Sequence, residues 1–251
     1  APTFFVQTGS PFAVFAIGFA LFCVLAGLMM QGEWSSVMTC QNTGFRVVLA
    51  DPLARRLLIL ALVNAMPVAV SSTLFLFFVE SRLGATGLEG PLLLLFFLAA
   101  ALSAPIWGTV AARIGAKTAL LGGMVLSIVA FGFAALLGSG DTLPFALICL
   151  ASGAALGADL TLLPAIFARR MAVISPGAGR AFGMWALVSK FSMAFAAFAL
   201  LPLLELNGFR SGTDNPPEAL RMLSLMYGLV PCGLKLVAIA LLVATPIEED
   251  E

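Results

Sequence analysis

Seven runs of mostly apolar residues, each about 20 long, are separated by short polar breaks. They span about Pro11 to Met30, Leu57 to Val79, Pro91 to Ala112, Thr118 to Leu137, Leu143 to Ala168, Ala181 to Leu204 and Met222 to Ala244. A helix needs about 20 apolar residues to cross a hydrocarbon core, whereas a barrel strand needs about 10 with alternating polarity. The runs are too long and too uniformly apolar for strands. The pattern predicts an all-α, polytopic transmembrane helix bundle with about seven spans. The breaks carry turn chemistry, as in Gly84-Ala85-Thr86-Gly87, Gly138-Ser139-Gly140-Asp141 and Ser175-Pro176-Gly177. The longest break, about Gln31 to Arg56, has room for a short interfacial helix.

Composition strengthens this reading. Of 251 residues, 61% are hydrophobic and 10% charged, against roughly 25% charged in a soluble domain. There is no histidine and the formal net charge is zero. Ser-His-Asp and Cys-His catalysis and His-ligated zinc are thereby excluded. The single, unclustered acids assemble no alternative catalytic site, so an enzyme is not expected. No metal, cofactor or nucleic-acid partner is expected either. Cys23, Cys149 and Cys232 lie in apolar runs, while Cys40 does not. No pair has CxxC spacing, which reads as buried, inert thiols.

The basic residues fix an expected orientation. Arg46, Arg55, Arg56, Arg113, Lys117, Arg169, Arg170 and Arg180 all fall on alternate connections, and only Arg82, Arg210 and Arg221 fall on the others. The positive-inside rule makes the first set cytoplasmic. The N-terminus is then outside, and the acidic tail Glu248-Glu249-Asp250-Glu251 is inside. The expected location is integral to a membrane, the bacterial inner (plasma) membrane, in contact with lipid.

Charges inside the runs are the candidate functional groups. Asp159 lies ten residues before Arg169, and Lys190 lies ten residues after Arg180. At 1.5 Å per residue each is roughly 15 Å deep, near the midplane. A charge there costs about 2.5–3.5 kcal/mol on insertion scales, so it is expected to face a protein interior or a watery cavity. A pair between Asp159 and Lys190 is one solution. Lys235 is a third deep charge, following Pro231 and Gly233, and is open between a lipid-edge and a cavity role. Asn64 and Ser71 are seven apart and share a helix face, which suits hydrogen bonding between helices. Gly153 and Gly157 permit a close helix approach, with Pro164 beyond them as a kink. Trp34 and Tyr227, near span ends, read as interface anchors.

Several of these segments together resemble a known family. Ala104-Pro105-Ile106-Trp107-Gly108 followed by Arg113-Ile114-Gly115-Ala116-Lys117 resembles the P-x-W…R-x-G-x-K loop of the major facilitator superfamily. Gly153 to Asp159 with Leu163-Pro164-Ala165, then Arg180-Ala181-Phe182-Gly183-Met184-Trp185 leading to Lys190, then Leu229-Val230-Pro231, resemble its glycoside–pentoside–hexuronide, melibiose-permease-like branch. The resemblance covers about residues 45 to 250. It implies a twelve-span fold of which this chain is the sixth span plus the C-terminal half. Residues 1–56 would then supply one transmembrane helix with a cytoplasmic connecting loop, and 57–251 the six-helix C-terminal half.

The resemblance further implies a secondary active transporter, a solute:cation symporter for a sugar or related small solute, working by alternating access between two halves. It assigns Lys190, Asp159 and Trp185 to the substrate cavity. Asn64 joins them from the reading of its polar span. It assigns Arg113, Gly115 and Lys117 to a cytoplasmic gating loop. The implied partners are a small-molecule solute, a possible coupling cation, and the missing N-terminal half or a partner subunit. The alternatives are a non-transporting membrane assembly or interaction subunit, and a lipid- or pigment-handling relative of the same superfamily.

Overall fold

A computed structural model describes residues 11–29, 31, 45–174, 179–210 and 215–247, with side chains described at 16–29, 31, 46–174, 181–210 and 215–247. Among the described residues there are helices and no strand. Trp34, Cys40, the Ser175-Pro176-Gly177 turn, the side chain of Arg180 and the acidic tail from Glu248 to Glu251 lie outside this set.

The chain divides into two compact units, residues 1–42 and 43–251. The first contains α1 (Pro11–Met29), apolar almost throughout. The second contains α2 (Phe45–Ala50), α3 (Pro52–Phe77), α4 (Glu89–Ile114), α5 (Ala116–Ala134), α6 (Thr142–Ile174), α7 (Gly179–Leu206) and α8 (Pro217–Ala244). The short helix anticipated between the first two apolar runs is α2. Helices α3 to α8 are each long and apolar enough to cross a bilayer. In α1 the described apolar stretch, Ala16–Met29, is shorter than that.

Local chemistry sets the helix ends. Asp51 caps α3 by accepting from the Ala54 N–H at 2.7 Å, and Pro52 occupies the first helical position, where no N–H is needed. The far end of α3 passes into one π-helical turn, Phe78–Arg82, and Arg82 Nε donates to the Leu137 carbonyl at 3.0 Å. Between α4 and α5 the chain breaks at one residue, Gly115, whose φ of 87° is open to glycine and strained for a side chain. Helix α7 stops in a Schellman turn. Gly208 adopts φ 79°, the Phe209 N–H donates to the Leu204 carbonyl, and the Gly208 N–H donates to the Glu205 carbonyl.

Helix α6 is the central element. It packs on α4 and on α5, while α3 packs on α7 and α8, and α8 also on α5. Small residues allow these approaches. A Cβ on Gly153 would meet the Phe96 carbonyl oxygen at 2.3 Å, and one on Gly157 would meet Ser103 Oγ at 2.1 Å. The glycine pair thus seats α6 against α4 inside this bundle. Gly228 of α8 is pressed as closely on Ala135.

The interior is divided along the helix axes. One apolar core includes Phe75, Phe78, Phe131, Phe145 and Tyr227, and the other includes Leu57, Leu120, Met124, Leu163, Phe167 and Met171. Tyr227 is therefore no interface anchor. It is 3% exposed and its ring stacks on Phe78 with centroids 4.3 Å apart, because α8 turns it inward toward α3 and α6. Near the level between the cores lie the buried polar side chains Asn64, Ser127, Ser152, Asp159 and Lys235. Of the described cysteines, Cys149 is buried, Cys232 is half-buried with its thiol donating to the Ile128 carbonyl, and Cys23 is exposed rather than buried.

Candidate functional site

The buried polar layer centres on one lysine. Lys235 Nζ of α8 donates to Asp159 Oδ2 of α6 at 2.5 Å and to Asn64 Oδ1 of α3 at 2.7 Å. Three helices far apart in sequence are tied at one point. Lys235 is 1% exposed, Asn64 4% and Asp159 9%. The burial follows from the faces of the helices. Along α8 the inward stripe runs Ser224, Tyr227, Gly228, Pro231, Lys235, Ala238, Leu242, at helical spacing. Gly228, about two turns before the lysine, lets Ala135 approach α8 closely.

The ion pair is satisfied only in part. Asp159 Oδ1 is buried and, among the described residues, has no hydrogen-bond partner. A buried acceptor without a donor is costly, so this oxygen marks a place where water or a ligand group gains by binding.

The sequence left a pair between Asp159 and Lys190 open, and in the structure Asp159 pairs with Lys235 instead. Lys190 is exposed on α7. That helix packs mainly on α3, with Ser192 Oγ donating to the Leu62 carbonyl of α3 at 3.2 Å. Lys190 is two residues from Ser192, about 200° around the helix, and so points away from α3. It forms no hydrogen bond or ion pair among the described residues. Asp159 has its cation in Lys235 instead. Of the two roles open for Lys235, burial among α3, α6 and α8 excludes the lipid edge.

Trp185 is half-buried and its ring packs against Phe167 of α6, with centroids 5.0 Å apart. It lies on α7 nearer the basic end than Lys190. Asn64, Asp159 and Lys235 are thus brought together, and Lys190 and Trp185 lie on a separate helix. The signal available for Lys235 was its place between Gly228 and Ala238 on one helix stripe.

The expected gating residues surround the α4–α5 break. Arg113 is exposed at the end of α4, and Gly115 supplies the left-handed joint. Lys117 Nζ donates to the carbonyls of Val243 at 3.3 Å and Thr245 at 2.8 Å, next to the end of α8. A cation there also complements the negative end of the helix dipole. At the same end of the bundle, Arg170 grips both carboxylate oxygens of Asp51 through Nε and Nη2. The guanidinium hydrogen bonds hold the Asp51 carboxyl below the ordinary carboxylate value, against a smaller opposing effect of burial. Arg55, Arg56, Arg113, Lys117, Arg169 and Arg170 therefore share one basic end. Among the described residues, no group of three or more Cys, Asp or Glu side chains is arranged to hold a metal ion.

Comparison with known proteins agrees with this helical membrane architecture. The comparison with curated proteins found no match. The family model described as MFS/sugar transport protein matches residues 5–249, nearly the whole chain, so the chain belongs to that family of membrane transporters.

Proposed function

We propose that this chain is the C-terminal part of a secondary active transporter for a sugar or related small solute, coupled to a cation and working by alternating access. Its six-helix unit is one of the two rocking halves. The basic end is cytoplasmic and the opposite end, with Arg210, faces outside. The reading is of a transporter and not of an enzyme.

One observation carries the proposal. Lys190 stands exposed about 15 Å from the basic end of an apolar helix, with no partner among the described residues. Such a charge costs about 2.5–3.5 kcal/mol against lipid. It requires a water-filled cavity or a facing protein surface, which is what a second half enclosing a central pathway supplies. Lys190 then meets the solute or the groups that compete with it. Trp185 offers an aromatic face on the same helix. The Asp159–Lys235–Asn64 cluster holds α3, α6 and α8 together as a unit that moves as one. Arg113, Gly115 and Lys117 form the cytoplasmic joint between α4 and α5.

The test is uptake of radiolabelled hexoses, pentoses and disaccharides into proteoliposomes containing the full-length gene product. Lys190→Ala is expected to reduce uptake to background at unchanged membrane content. Normal uptake by that variant removes Lys190 from the mechanism.

A further inference from the structure

At the end of the bundle opposite the basic residues, α3 and α7 part around a recess of about 560 Å³. This is within the range of small-molecule sites. Its floor is apolar. Phe77 of α3, half-buried, and Leu201, exposed, supply its open apolar surface, while Leu204 and Phe209 lie buried beneath, with Phe209 edge to face on Phe77 at 5.5 Å. Among the described residues its charged side chains are Glu205 and Arg210, both exposed. Neither side chain forms a hydrogen bond or ion pair among the described residues, with each other or with anything else. An acceptor and a donor of opposite charge therefore sit in one recess without neutralising one another.

The recess is held in shape. The Schellman turn at Gly208 folds Phe209 back onto Phe77. Asn215 then fixes the backbone of Arg210 from both sides. Its Oδ1 accepts from the Arg210 N–H at 2.7 Å, and its Nδ2 donates to the Arg210 carbonyl at 2.8 Å. Along α7, Glu205 is fifteen residues beyond Lys190, about 22 Å farther out and within about 60° of it around the helix axis.

We propose that this recess is an outer capture site for a neutral polyhydroxylated ring. The C–H face of such a ring lies on Phe77 and Leu201, while its hydroxyls donate to the Glu205 carboxylate and accept from the Arg210 guanidinium. A ligand of one net charge is attracted by one of the two side chains and repelled by the other, so net charge gains little here, whereas hydroxyls, which both donate and accept, answer both groups. A purely apolar ligand leaves both charged groups unanswered. The site holds solute on the outer side before it reaches the level of Lys190. The proposal rests on the transport reading for this role, but not for the binding itself.

Two measurements separate the failures. The first is uptake kinetics for D-glucose, D-galactose, D-xylose and sucrose in proteoliposomes of the full-length protein. The second is saturation-transfer NMR of the same sugars with the protein in detergent. The variants are Glu205→Gln, Arg210→Gln and their combination, all exposed positions, with Leu206→Ala as a control outside the recess. For the sugar that is taken up, each single variant is expected to raise the KM for entry from the outer side about tenfold. Maximal velocity stays within about twofold. Saturation transfer to the ring protons is expected to fall to background in the combined variant and to persist in the control. Uptake by the wild type with an unchanged KM in the variants overturns the capture site and leaves the transport reading standing. Saturation transfer that the combined variant removes, without uptake of any of the four sugars, supports the site and counts against the transport reading. No saturation transfer to any of them in the wild type overturns the site.

Discussion

Replacing Lys235 by methionine keeps the length of the buried stem and removes the charge. Asp159 Oδ2 then loses its donor, and Oδ1 already has none among the described residues. Both oxygens of a carboxylate near the middle of the bundle are left unanswered, as is the Asn64 oxygen that Lys235 also engages. Breaking a buried ion pair from one side costs about 3–5 kcal/mol, while a near-isosteric change of an apolar stem costs less than about 1.5 kcal/mol. The electrostatic loss therefore dominates. At roughly 2–4 °C per kcal/mol for a chain of this size, the apparent melting midpoint is expected to fall by about 6–20 °C. Asp159→Asn lowers it less, because the ammonium keeps two carbonyl-type acceptors. The combined variant Lys235→Met with Asp159→Asn removes both charges, and its midpoint is expected within about 5 °C of the wild type. The assay is thermal unfolding in detergent, followed by the monodisperse fraction in size-exclusion chromatography, with all four proteins measured at one pH and detergent concentration. A drop below about 2 °C in Lys235→Met, or a combined variant no better than that single one, refutes the view of this cluster as a coupled buried pair.

The close approach of α6 to α4 predicts that Gly157→Ala destabilises the bundle by about 1–3 kcal/mol, since the added carbon has no room beside Ser103 and Ala100. Gly183→Ala, where a Cβ meets nothing within 4 Å, is expected to be neutral or mildly stabilising in the same thermal assay. Asp51→Asn keeps the helix cap and loses the pair with Arg170, at a cost of about 1 kcal/mol at pH 7. The carboxyl of Asp51 is held below its ordinary value in the folded protein, so its contribution is complete above about pH 4. It is lost as pH falls through the folded value, and the margin over Asp51→Asn is expected to vanish there in a pH series of melting midpoints. Loss of uptake in Lys190→Ala is accompanied by an unchanged melting midpoint, because Lys190 is exposed and unpaired among the described residues; a large stability loss refutes that placement.

Much of the architecture was legible in the order of residues. Length and apolarity alone mark where a helix can cross a bilayer, and α3 to α8 fall on the second to seventh apolar runs. Glycine at 115 and at 208 breaks the helices where only a residue without Cβ adopts a left-handed backbone easily. The depth of Asp159, Lys190 and Lys235 also follows from counting residues, since rise along a helix is fixed. Depth carries no information about azimuth between helices. Which cation faces Asp159 depends on how α6, α7 and α8 are rotated and which of them touch α3. That is decided by where small residues allow contact, at Gly153 and Gly157 on α4 and at Gly228 on Ala135. The same rotation carried Tyr227 into the aromatic core and left Lys190 on an open face. The recess between Phe77 and Phe209 joins residues more than a hundred positions apart, so no local pattern announces it. The sequence by itself determined where the six long helices lie, to within about six residues at their ends, and how the charges are spaced along them, because these are set by local geometry. Only the tertiary structure decided which charge met which partner, because that is set by the packing of whole helix faces.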